Sequence, residues 1–62
     1  MKTKLEAFTD TRDELMAVAE NERNHLLDRV DAYLELAQLF ANDRNKNAYY
    51  IREARDLIAK DL

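Results

Sequence analysis

Glu22-Arg23-Asn24-His25 places a carboxylate and an imidazole three residues apart. On a helix that spacing puts both on one side, as in the Glu-x-x-His motifs of di-iron bundles. Such a site needs further inward glutamates. The second half of the chain offers one, Glu53, on the side away from its own apolar stripe. No metal and no cofactor is therefore expected, and His25 reads as a boundary residue between a polar and an apolar face. The chain has no Ser, no Cys and a single His, so neither a Ser–His nor a Cys–His nucleophile can be assembled. Gly is also absent, which removes every glycine-dependent phosphate loop. Carboxylates abound, but acid–base catalysis needs a dry pocket that drives two of them apart in pKa. No catalytic residue and no small-molecule substrate is expected, and the chain reads as a non-enzyme.

The remaining chemistry is that of surfaces. Asp13, Glu14, Glu20, Asn21, Asn24, Asp28, Asp31, Glu35 and Gln38 fall on one arc of a helical wheel. That arc holds six acids and no base. A one-signed stripe docks a basic surface, and Glu20, Asn24, Asp28, Asp31 and Glu35 are the expected contacts to a protein partner. The alternative is a solvated face that keeps the chain soluble. A basic region follows in Arg44, Lys46, Arg52 and Arg55, with Tyr49 among them. Arginines beside an exposed aromatic could hold RNA or DNA. This is the second functional reading. Glu53, Asp56 and Asp61 dilute the patch. Residues 1–42 carry five bases and nine acids, and residues 43–62 five bases and four acids, unlike a generally basic nucleic-acid binder.

These residues need elements to hold them. With no Gly and no Pro among 62 residues, hairpin turns lack their usual residues, so a β fold is improbable and an all-α single domain over 1–62 is expected. Zero Cys excludes a disulfide framework. At 47% hydrophobic residues the chain is too apolar for typical disorder. No run is long enough to span a membrane. No apolar stretch follows the basic opening Met1-Lys2-Thr3-Lys4, so no secretory signal is read there. Met1 reads as a natural start, and the cytoplasm is the expected compartment.

Thr11-Arg12-Asp13-Glu14 fits a capping box, and Thr3-Lys4-Leu5-Glu6 fits a second. Leu15, Ala19, Leu26, Val30, Tyr33, Ala37 and Phe40 then recur at helical spacing to about Ala41. Counted from Thr11, this is a helix of roughly 31 residues, or ~46 Å. It has weak points at Thr9–Thr11 and at Asn21 and Asn24. Asn42-Asp43-Arg44-Asn45-Lys46-Asn47 is the expected turn, since Asn and Asp tolerate left-handed backbone. A second helix of roughly 16 residues runs from about Lys46 to Asp61, with Tyr50, Ile51, Ala54, Leu57 and Ile58 as its stripe.

The fold expected is a helical hairpin: long helix, polar turn, short helix. The short helix covers only half of the long one. Leaving the other half uncovered would forfeit several kcal/mol at ~25 cal/mol/Å². A second copy is the usual remedy, giving a homodimeric four-helix bundle. Its interface would use Leu15, Val18, Ala19, Glu22, Leu26, Arg29, Val30 and Tyr33, with Glu22 and Arg29 paired across it. In size and layout such a hairpin resembles the plasmid RNA-binding repressors of primer, a likeness of architecture that carries over no residue. The function expected is that of a small regulatory or interaction protein.

Overall fold

The computed structural model describes residues 3–61; Met1 and Lys2 of the opening segment lie outside them. The described residues form three helices, α1 (Lys4–Glu20), α2 (Leu26–Leu39) and α3 (Arg44–Asp61), and the fold is all-helical. No strand occurs among the described residues, and no helix there is long and apolar enough to cross a membrane.

Helix α1 starts at the first of the two capping boxes. Thr3 Oγ1 accepts the Glu6 amide at 3.1 Å, so one of the four orphan amides of the first turn is satisfied. Thr11 lies inside α1 and caps nothing. The expected long helix is interrupted at Asn21–His25, the second of its weak points. Asn21 stops α1 by leaving helical geometry, with φ −81° and ψ 106°, and its Oδ1 accepts the Arg23 amide at 3.0 Å. Asn side chains compete for local amides in this way, which is why they favour turns over helix interiors. Asn24 Nδ2 donates to the Val18 carbonyl at 3.0 Å, and Arg29 Nε to the Ala19 carbonyl at 2.8 Å. Two last-turn carbonyls of α1 thus gain partners from beyond the break. His25 Nδ1 accepts the Leu27 amide at 3.2 Å and opens α2.

The second turn is shorter than expected. It occupies Phe40–Asp43, and α3 begins at Arg44 rather than Lys46. No residue adopts a positive φ among those described, so left-handed asparagine is not what turns the chain. Asp43 does the work instead: its Oδ1 accepts the Lys46 amide at 3.2 Å and its carbonyl accepts the Asn47 amide at 2.8 Å. An aspartate at this position suits the positive end of α3.

The break lets α1 fold back on α2. Helix α2 lies in the middle, packed on α1 at one side and α3 at the other, while α1 and α3 do not pack on each other as helices. The molecule is thin, with principal extents of 44 × 26 × 11 Å. Its core is Ala19, Val30, Ala32, Tyr33, Leu36, Ala37, Tyr50 and Ala54. Alanines at four of these positions let the helices approach closely, and Leu36 is the large side chain that is fully enclosed. Phe8, Phe40, Tyr50 and Tyr33 run as a chain of ring contacts, with centroids 5.4, 5.6 and 6.4 Å apart. They line one broad side, hereafter the aromatic side. Tyr50 also bridges α1 and α3, its hydroxyl 4.0 Å from Met16 Sδ. The break widens the buried face of α2: Leu36, outside the expected stripe, is central, while Leu27 is 67% and Leu34 42% exposed.

The expected dimer surface is therefore largely used within the chain. Ala19, Val30 and Tyr33 are buried by the chain's own helices, and Leu26 packs against that core. Arg29 is engaged by the Ala19 carbonyl, and Glu22 stands exposed in the break. The half-helix expected to need a second copy is α1, and it folds back on α2 instead, burying Ala19.

Candidate functional site

Side by side, α1 and α2 leave a groove on the broad side opposite the aromatic one. It is lined by Leu15 and Val18 from α1, Asn24 from the break, and Asp28, Asp31, Ala32 and Glu35 from α2. The spacing explains the convergence. Asp28, Asp31 and Glu35 stand three and four residues apart and so share one edge of α2. Leu15 and Val18 are likewise three apart on the facing edge of α1. Ala32 is 3% exposed, and its small side chain leaves the groove its depth. Asn24 closes one end, held by its bond to the Val18 carbonyl.

The lining holds three carboxylates and no cation. An apolar floor beneath acidic walls suits a partner that is apolar along one line and cationic beside it. At about 360 Å³ and open to solvent, the groove is at the small end of ligand sites and encloses nothing. No buried side-chain polar atom is left without a partner among the described residues.

Four of the five expected acidic-face residues meet here, namely Asn24, Asp28, Asp31 and Glu35; Glu20 does not line the groove. The break separates Asp13, Glu14 and Glu20 from the others, so the continuous stripe becomes two shorter ones. Leu15 and Val18, expected in a dimer interface, form the floor of the groove instead. Sequence reasoning missed Ala32. The signal was its place one turn before Leu36, on the side of α2 that α1 covers.

The basic residues divide between two sides of α3. Arg52 and Arg55 stand with Ala48, Ile51 and Ala59 on its outer surface, and Arg44, at the start of the same helix, shares that phase. Lys46 is on the other side, its ammonium 4.9 Å from the centre of the Phe40 ring. Tyr49, 56% exposed, rests edge-on against Tyr50 at 5.2 Å. The five residues of the nucleic-acid reading are thus not gathered on one surface. At Glu22–His25, one imidazole nitrogen is occupied by the Leu27 amide. No group of three metal-ligating side chains converges among the described residues.

Burial raises the pKa of Tyr33 above its ordinary 10.0, and the charges of Glu53 and Glu20 push the same way. Tyr50 is likewise raised, by burial first and then by Tyr49. Neither phenol is placed to act as an acid or base on anything outside the core.

Fold and groove together define a small three-helix protein with an open acidic cleft. No protein-family model, no curated protein and no solved structure matches the chain.

Proposed function

We propose that the chain is a non-catalytic interaction protein that docks a cationic, amphipathic segment of a protein partner in the groove between α1 and α2. The observation that carries this reading is the meeting of Asp28, Asp31, Glu35 and Asn24 over an apolar floor of Leu15, Val18 and Ala32. A helix laid in the groove would set its apolar line on the two aliphatic side chains and its lysines or arginines on the carboxylates. Charge of one sign speeds encounter and selects against acidic competitors, more than it deepens affinity. The weak enclosure suits a transient partner rather than a trapped ligand.

The test is fluorescence anisotropy with a synthetic amphipathic Leu/Lys helix as ligand and a Leu/Glu helix of the same length as control. The wild-type chain should bind the first and not the second, more weakly as salt rises. Asp28→Lys with Asp31→Lys should keep the circular dichroism spectrum and weaken binding by tenfold or more. Undiminished binding by that variant would sink the proposal.

A further inference from the structure

Six large aliphatic side chains are exposed; Leu5 and Val18 belong to α1, and the other four stand on α2 and α3, Leu27 67%, Leu34 42%, Ile51 36% and Ile58 44% exposed. These four are not scattered. Leu27 and Leu34 are seven residues apart, two turns, on one face of α2. Ile51 and Ile58 are seven apart on one face of α3. The antiparallel register of the two helices is set where Asn47 Nδ2 donates to the Ala37 carbonyl at 2.7 Å. Counting away from that tie puts Leu34 about level with Ile51, and Leu27 about level with Ile58. The aromatic rings fix which way the faces turn. Tyr33, Phe40 and Tyr50 stack on one side of the α2–α3 pair, and at ~100° per residue the four aliphatics come out on the other.

Charge flanks this stripe with opposite signs. On the α2 side lie Asp28, Asp31 and Glu35, the wall of the groove. On the α3 side lie Arg52 and Arg55, with Ala48 and Ala59 between them and Asp56 beyond Arg52, farther from the stripe. Across the face the order is acid, aliphatic stripe, base.

We infer that this face pairs with itself in a second copy of the chain. Two faces can meet about a two-fold axis in two ways. An axis across the helices would lay acid on acid and arginine on arginine. An axis along the helices lays α2 of one copy on α3 of its partner, stripe on stripe, with Asp31 and Glu35 of each copy beside the partner's Arg52 and Arg55. The second arrangement is self-complementary, and the charge pattern selects it.

Area agrees with this occupant. A compact monomer of 7.3 kDa is expected to expose about 4,200 Å². This chain exposes 5097 Å², an excess of about 900 Å². A standard interface removes about 800 Å² from each partner. The radius of gyration, 12.2 Å, is likewise above the ~10.5 Å expected for a compact chain of this length. Stacking two thin molecules face to face removes the excess.

Sedimentation equilibrium of the full chain from 1 to 200 µM tests this. A mass of twice 7.3 kDa is expected in the upper part of that range. Ile51→Lys and Leu34→Glu change exposed residues, so both should keep the helical spectrum and sediment as monomers. Arg52→Glu with Arg55→Glu should weaken the dimer by tenfold or more, and adding Asp31→Lys with Glu35→Lys should restore it. A wild-type monomer at 200 µM, a dimer indifferent to Ile51→Lys, or one indifferent to the arginine reversal would each overturn the inference. The peptide assay above is a separate measurement, so either proposal can fail alone.

Discussion

Replacing Arg29 with Met tests whether the break at Asn21–His25 is held in place or is merely slack. Methionine keeps an unbranched apolar stem of similar reach. It removes the guanidinium, whose Nε lies 2.8 Å from the Ala19 carbonyl. That hydrogen bond has a charged donor and is worth about 1.5–3 kcal/mol in general; here the lower end applies because Arg29 is only half-buried. The same charge sits at the negative end of α1, which has no base in its last turn, and adds about 0.3–1 kcal/mol. The expected loss is therefore about 2 kcal/mol. A domain of this length has a total stability of roughly 3–9 kcal/mol. Each kcal/mol moves the Tm of such a small domain by about 4–8 °C, so Arg29→Met should melt about 8–16 °C earlier. Arg29→Lys keeps the charge but loses the planar donor, and should fall in between. Thermal melts by circular dichroism, at one protein concentration, measure all three chains. A drop of less than ~2 °C for Arg29→Met would refute the reasoning, because α1 would then be docked by its apolar contacts alone.

Raising pH should also loosen the fold. Tyr33 and Tyr50 have their pKa raised in the folded chain, so above pH 10.0 the unfolded phenols release protons before the folded ones do. The unfolded state then binds fewer protons, and stability falls as pH climbs from 10 through the raised values. Tm should be level below pH 9 as far as these two groups act and decline above 10, with Tyr50→Phe flattening the decline; an unchanged slope in that variant would remove Tyr50 as a cause. The two proposed occupants both use Asp31 and Glu35, so a saturating Leu/Lys peptide should shift the sedimenting mass from dimer towards the one-to-one complex. A peptide that binds without moving the dimer fraction would show that the two surfaces do not overlap.

What was legible in the sequence divides by the range of the physics. The all-helical class followed from missing Gly and Pro and from periodicity, both local properties. The capping box at Thr3 was legible too, because a capping hydroxyl needs only the amide three residues on, but the helix was counted from the box at Thr11, which lies inside α1. The break was visible as a weak point in Asn21 and Asn24, but its occurrence depended on something no local window contains. Asn24 and Arg29 cap the end of α1 only once α1 has folded back. Two carbonyls then gain partners, and the apolar edge of α1 gains α2. A continuous helix would keep a few more internal hydrogen bonds and leave Leu15, Ala19 and Leu26 in water. Burial decides, and tertiary contact overrides helical continuity.

That outcome changes where a partner can bind. Had the helix continued, the uncovered surface would have been Leu15 to Tyr33, apolar and edged by Arg29. With the helix broken, Ala19, Val30 and Tyr33 are spent inside the chain, Leu15 and Val18 line the groove, and the phase of α2 turns Leu27 and Leu34 outward. The acidic residues of α2 are carried with them to the same side, because Asp28, Asp31 and Glu35 are fixed in phase to Leu27 and Leu34 by the helix itself. Helix α3 cannot cover this side, since its own apolar line is committed to Tyr50, Ala54 and Leu57 against the core. Three helices in one thin layer thus bury one set of aliphatics and must present another. The sign of the charge beside that second set, acidic along α2 and with Arg52 and Arg55 along α3, is what would make the proposed self-pairing directional rather than merely sticky.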